Sequence, residues 1–135
     1  DFSAVAISPD GSQIAHYRDR EVGGGDLYLR RLDAFSERVL VEHQIALHPF
    51  FSPSGDELAY SSNEQRAIFR VPVNGGAPVQ VVRTADAFPG LWLDDGSIVY
   101  PRRGARGSGG SPRIPRRSFS VPSVGRTRLM ALMVE

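Results

Sequence analysis

Phe51-Ser52-Pro53-Ser54-Gly55-Asp56-Glu57-Leu58-Ala59-Tyr60 decides the fold, because the chain holds it in three versions. An earlier copy reads Ile7-Ser8-Pro9-Asp10-Gly11-Ser12-Gln13-Ile14-Ala15-His16. A later, degraded copy reads Trp92-Leu93-Asp94-Asp95-Gly96-Ser97-Ile98-Val99-Tyr100, one residue shorter after its glycine. Gly11, Gly55 and Gly96 stand 44 and 41 residues apart. Self-similarity at that period marks a repeat array with one supersecondary unit per period. A large apolar residue ends one strand in each copy. Ser-Pro-(Asp/Ser)-Gly then turns the chain: proline presets φ, Asp or Ser bonds its own backbone, and glycine takes the positive φ. A second strand follows at once, so the repeat begins with a hairpin.

Working outward, residues 3–7 read as a short apolar inner strand and 12–18 as the next, with Ile14 and His16 on one face and Ala15 and Tyr17 on the other. Gly23-Gly24-Gly25 lies in a polar loop. Residues 26–32 alternate strongly, and Val39-Leu40-Val41 makes a fourth strand. The second unit repeats this order with strands at 46–51, 57–62, 67–73 and 79–82. Asn74-Gly75, between its last two strands, is a strong hairpin signal, because both residues tolerate the positive φ of a type I′ turn. A third unit starts at Gly90-Leu91-Trp92, continues through 97–100 and stops. Four short antiparallel strands per period are what a propeller blade needs. The expected fold is therefore all-β: a partial β-propeller with two complete four-stranded blades, about 1–43 and 44–85, and half of a third, 86–100.

The copies resemble the TolB-type (PD40) form of the WD-type β-propeller repeat. Its second half, an Asp-(Ile/Leu)-Tyr-Val strand followed by a Gly-Gly turn, has counterparts in Asp26-Leu27-Tyr28-Leu29-Arg30 and in Ile68-Phe69-Arg70-Val71-Pro72-Val73-Asn74-Gly75-Gly76. The wording of Leu27–Asp33, Pro49–Gly55 and Val71–Val79 is similar to the propeller segment that follows the kinase domain in some bacterial receptor-like serine/threonine kinases. The resemblance covers about residues 1–100. It implies a binding or sensor scaffold, periplasmic or extracytoplasmic.

Composition narrows this further. The 135 residues hold 41% hydrophobic side chains, enough for a core, and no run nears the roughly 18 apolar residues of a membrane helix. The chain opens on Asp1 inside an apparent strand, without a signal-peptide pattern, so it is expected to be a piece of something longer. With no cysteine there is no disulfide or thiolate metal site. The net charge of +1 is uneven: residues 1–100 carry 8 Arg against 14 acids, and 101–135 carry 8 Arg against one Glu. Arg, Ser, Gly and Pro dominate 102–128, a composition that cannot offset its conformational entropy. The apolar run 129–134 is too short for an independent helix. The 101–135 stretch is expected to be a disordered tail or the product of a shifted reading frame.

The residues that invite chemistry have simpler roles. His16, His43 and His48 suggest zinc, but His43 and His48 have no evident carboxylate partner, and His16 fills the slot of Tyr60 and Tyr100 and reads as a core-facing blade residue. Asp10, Asp94 and Asp95 sit in turns that favour Asp and lack calcium-loop spacing. Gly107-Ser108-Gly109 has Arg106 where a nucleophile elbow needs glycine, and kinase signatures are missing. Gly23-Gly24-Gly25 is followed by no helix pattern, so it is no phosphate cradle. Trp92, Phe50, Phe51 and Phe88 are inner-strand aromatics that read as packing between blades. The basic tail holds one aromatic, Phe119, so nucleic acid is not expected as a partner. Arg116-Arg117-Ser118-Phe119-Ser120 loosely resembles a basophilic kinase site.

The expected function is a non-catalytic binding or sensor module, with no catalytic residues, metal or cofactor, that meets a protein or small ligand through its loops. The alternatives are the propeller gate of a prolyl-oligopeptidase-like hydrolase and a TolB-like periplasmic adaptor. Closure of a propeller takes roughly four to eight blades. The chain is therefore expected to need further blades or copies of itself.

Overall fold

A computed structural model describes residues 4–85, 89–103, 119–124 and 127–134, with side chains up to residue 102. The described residues are all β, and no helix among them is long and apolar enough to cross a membrane. The first sheet runs β1 (Val5–Ile7), β2 (Gln13–Asp19), β3 (Gly25–Arg31) and β4 (Glu37–Val41), each strand beside the next. The second repeats the order with β5 (Leu47–Phe51), β6 (Glu57–Ser62), β7 (Ala67–Pro72) and β8 (Val79–Arg83). All pairings in both sheets are antiparallel. These are the two complete blades.

Register shows that they are copies. Ile7 faces Ile14 across β1 and β2, as Phe51 faces Leu58 across β5 and β6. His16 faces Tyr28 as Tyr60 faces Phe69. The turns match as well. The Gly11 N–H donates to the Ser8 carbonyl and the Gly55 N–H to the Ser52 carbonyl, both at 2.9 Å. Gly11 and Gly55 hold φ of 72° and 76°, the left-handed region where a Cβ is strained, as the repeat requires. The Asn74-Gly75 turn is built differently from the expectation. The Gly75 N–H closes on the Pro72 carbonyl at 3.0 Å, and the positive φ values fall on Gly75 and Gly76. Asn74 therefore keeps an ordinary φ inside the turn, and two consecutive glycines absorb the reversal after it.

The third sheet has the order β11 (Phe119–Val124), β12 (Thr127–Val134), β10 (Ser97–Arg103), β9 (Leu91–Trp92). Strands β9 and β10 are the expected half blade, with Ile98 opposite Trp92. Strands β11 and β12 belong to the stretch expected to be a disordered tail. β12 lies parallel to β10, from Ser97 opposite Arg128 to Arg103 opposite Val134, where the two full blades place an antiparallel strand. The compositional argument against structure concerned a self-sufficient core. It did not reach a strand that borrows the backbone donors and acceptors of an existing edge. Residues 104–118, with Gly107-Ser108-Gly109, lie outside the described residues.

The core fills the seams between sheets. Ala15, Tyr17, Leu27 and Leu29 of blade 1 meet Phe51, Leu58, Tyr60, Phe69 and Val71 of blade 2. Ala59, Ile68 and Val81 of blade 2 meet Ile98 and Tyr100 of the third sheet. Blade 2 is thus covered on both faces. The alternation of β6 places Leu58 and Tyr60 toward one neighbour and Ala59 toward the other.

Candidate functional site

Strands that alternate direction bring the β1–β2 and β3–β4 turns to one end of a blade. At that end an open groove of about 540 Å³ runs between blades 1 and 2. Asp10 and Ser12 come from one blade's turn, and Ser54 and Asp56 from the other's. Glu37 and Arg38 contribute from the start of β4. A matching groove of about 480 Å³ runs between blade 2 and the third sheet, lined by Ser52, Ser54, Glu57, Arg70, Trp92 and Asp94. The repeat thus makes one groove per seam.

Turn chemistry holds the walls. Asp10 Oδ1 accepts the Ser8 hydroxyl at 2.7 Å, the Ser12 N–H at 2.9 Å and the Ser12 hydroxyl at 2.7 Å. These donors, the Ser8 hydroxyl foremost, lower its pKa to about 2. Asp10 is therefore a fixed anion at neutral pH and a poor proton carrier. The Ser8 hydroxyl also accepts the Gln13 N–H at 2.9 Å, as the Ser52 hydroxyl accepts the Glu57 N–H at 3.1 Å. In blade 2, Ser54 stands in the place of Asp10, 3.3 Å from the Ser52 hydroxyl.

Charges of both signs meet around these turns. Glu37 pairs with His16 and lies 3.3 Å from Arg18. The His16 hydrogen bond first, and Arg18 after it, hold the Glu37 carboxyl below its ordinary range. Arg31 is engaged by Asp33, with hydrogen bonds of 2.9 and 2.5 Å. Arg38 reaches across the seam, its Nη1 3.9 Å from where a Cβ on Gly75 would stand. In the second groove Arg70 and Glu57 are 3.7 Å apart.

The opposite end of blade 1 is locked by a buried carboxylate. Asp26 accepts the Arg20 guanidinium at 2.6 and 2.8 Å, the His43 N–H at 3.1 Å and the Tyr28 hydroxyl at 3.4 Å. Burial acts to raise its pKa, and the His43 N–H and Arg20 outweigh it, leaving the pKa below the usual carboxylate value. Asp26 thereby ties the β2–β3 loop to the connector between the blades.

The residues singled out from sequence separate accordingly. His43 stands on the inter-blade connector with φ of 55°, its Nδ1 3.2 Å from Arg20 Nη1. His48 lies at the β5 bulge with φ of 50°. Among the described residues no three His, Asp or Glu side chains stand close enough to share a metal ion. His16 corrects the expectation of a core-facing residue. It does fill Tyr60's slot, but on the face of blade 1 that no described sheet covers, where it stacks on Tyr28 with ring centres 5.4 Å apart. Asp95 accepts the Ser97 N–H at 2.8 Å, as a turn residue does. Phe50 meets Trp92 edge-on at 6.4 Å between blade 2 and the third sheet, and Phe51 is in the first seam. Phe88 lies outside the described residues, as do Arg116 to Ser118 of the kinase-site motif. Glu37, Arg38 and the Arg20–Asp26 pair were missed. A charged residue beside a turn reads as solvated, and only Asp26, at the head of an apolar strand, stood out of pattern.

No family model matches the chain, and no curated protein does. Among solved structures, a protein named as TolB from Agrobacterium tumefaciens is similar, with a TM-score of 0.50 and 23% identity over 66% of this chain and 41% of that one. The fold is a partial, TolB-like β-propeller. The chain spans about two-fifths of the length of that structure. At this identity the likeness carries the arrangement of blades, and the grooves between them are read from this chain's own residues.

Proposed function

We propose that the chain is a non-catalytic binding module that takes its ligand at the turn end, first in the groove between blades 1 and 2. One observation carries this. The groove recurs at both seams, built from turns whose shape is set by their own internal hydrogen bonds. Rigid turns with varied side chains suit recognition. Asp10 is held as an anion, which suits an acceptor for a ligand's donors better than an acid or base. Anionic Asp10, Asp56 and Glu37 opposite Arg38 suit a ligand with both donors and acceptors, such as an extended peptide segment. The likeness of residues 27–79 to the propellers of bacterial receptor-like kinases supports a sensor role in such a protein.

The test is a titration with short capped peptides that carry Arg, Asp, Phe or Gly at the centre, followed by amide NMR. Saturable shifts at Ser12, Glu37, Asp56 and Asn74 are expected. Asp56→Ala should weaken binding about tenfold, the worth of one charge-assisted hydrogen bond. Shifts confined to other surfaces, or none at millimolar peptide, would overturn the assignment.

A further inference from the structure

Three turns of this chain place a glycine directly after an Asp or Asn side chain: Asp10-Gly11, Asn74-Gly75 and Asp95-Gly96. At such a junction the glycine nitrogen can attack the side-chain carbonyl carbon before it, because no Cβ obstructs the approach. The backbone treats the three alike. The N–H groups of Gly11, Gly75 and Gly96 donate to the carbonyls of Ser8, Pro72 and Leu93 at 2.9, 3.0 and 2.9 Å. The side chains separate them. Asp10 Oδ1 is held by the Ser8 hydroxyl, the Ser12 N–H and the Ser12 hydroxyl, and the group is ionised, so it is a poor electrophile. Asp95 is tied to the Ser97 N–H. Asn74 is exposed, its side chain makes no hydrogen bond among the described residues, and its neutral carboxamide is an electrophile as it stands.

We infer that Asn74 is a site of spontaneous deamidation in the folded chain, promoted by Arg38 from the neighbouring blade. The Gly75 nitrogen gives up its proton to water and attacks the Asn74 Cγ. The bond from Cγ to Nδ2 breaks, ammonia leaves with a proton from water, and a five-membered succinimide closes. Water then opens the ring. Attack at Cγ yields aspartate, and attack at the main-chain carbonyl yields isoaspartate. The net change is an amide and water becoming a carboxylate and ammonium, with no redox partner. Arg38 Nη1 stands 3.9 Å from where a Cβ on Gly75 would be. A cation this close favours the form in which the Gly75 nitrogen has lost its proton. The hydrogen bond to Pro72 has to open first, and Gly75, Gly76 and Ala77 are exposed, so the turn opens without disturbing the core.

The product has a counterpart in blade 1. The Leu32 N–H bonds the Ser12 carbonyl as the Val73 N–H bonds the Asp56 carbonyl, so Asp33 and Asn74 hold matching positions. Asp33 is engaged by Arg31. Deamidation gives blade 2 a carboxylate where blade 1 has one by sequence, with Arg38 as the nearby guanidinium. Asn74 and Arg38 both line the groove between the blades, so the groove gains a negative charge beside its cation.

The test reads mass and not ligand binding, so it stands whether or not the groove binds a peptide. The full 135-residue chain is kept in mildly alkaline buffer, sampled over time and mapped after tryptic digestion, with an unincubated sample as the blank. The 71–83 peptide should split into aspartate and isoaspartate forms. The 39–66 peptide, in which Asn63 is followed by Glu64, should keep its mass, and the 1–18 peptide with Asp10 should elute as one species. Arg38→Gln should slow the loss of the 71–83 peptide about two- to fivefold, the effect of a solvent-screened charge. Opening of one turn exposes little surface, so the rate should stay flat in urea below the unfolding transition. A 71–83 peptide that outlasts Asn63 overturns the inference. So does a rate that climbs with low urea, which would place the reaction in the unfolded chain. An unchanged rate in Arg38→Gln overturns the part given to Arg38.

Discussion

Blades 1 and 2 have the same strand order, the same first turn and the same register beside it, yet they differ in what their matching positions feel. Leu58 is wholly buried, and Ile14 at the same position is half-buried. Tyr60 is buried against blade 1, and His16 lies on an open face beside Glu37. The difference comes from neighbours. Among the described residues, blade 2 has a sheet on each side and blade 1 has one. In a repeat array, stability is a sum of units and of interfaces between units. The same residue type is therefore worth different amounts at matching positions.

The largest effect expected from this comparison is at Leu58. Leu58→Ala removes a fully buried side chain from the first seam and should cost about 2–5 kcal/mol. Ile14→Ala, on the open face, should cost under about 1.5 kcal/mol in dilute solution. Urea melts of both variants give the two numbers. Equal losses would mean that the open face is covered even at dilution.

How much of this could be read beforehand follows from the same contrast. Strand positions were legible because alternation and turn chemistry are local. Glu57–Ser62 lies where the pattern of residues 57–62 puts it, and Gly55 takes its positive φ because the Ser-Pro-Ser-Gly turn demands it. Which face of each strand is covered was not legible, because that is decided by a sheet some forty residues away along the chain. His16 was assigned its correct slot and the wrong surroundings for this reason. The groove was illegible for a similar one. Asp10 and Asp56 are turn residues when taken singly, and only the packing of two blades sets them across a common cleft. Gly25 escaped as well. It counted as loop, but it opens β3, where a Cβ would strike the Tyr17 ring and the Arg18 carbonyl.

A second contrast concerns the head of the third strand in each blade. Asp26 and Ala67 hold the same position and both are buried. Blade 2 is apolar there, and blade 1 depends on an ionised carboxylate. Asp26→Asn should cost about 1–2 kcal/mol near neutral pH, since Arg20 and the His43 N–H lose a charged acceptor. The sign with pH follows from the lowered pKa. The folded state binds the proton less readily than the unfolded chain, so the contribution is whole above about pH 4 and is lost as pH falls through the folded value. Wild type and Asp26→Asn should therefore differ in urea midpoint near neutrality and converge in acid. A gap that persists unchanged at about pH 3 would mean that the side-chain shape, and not its charge, holds the connector.

The smallest effect expected is at His16 itself. His16→Tyr makes the ring pair of blade 1 match that of blade 2. It removes the pairing with Glu37, which is partly exposed and screened by solvent, and leaves Glu37 with Arg18 at 3.3 Å. It adds ring area on a face that is open in a single chain. A partly exposed polar pair of this kind contributes at most about 1 kcal/mol, so the two changes should cancel to within about 0.5 kcal/mol in dilute solution. A loss greater than about 1 kcal/mol at dilution would instead make the His16–Glu37 pair a structural tie of blade 1. In that case the open face would be specialised for solvent, and its likeness to the buried face of blade 2 would stop at register.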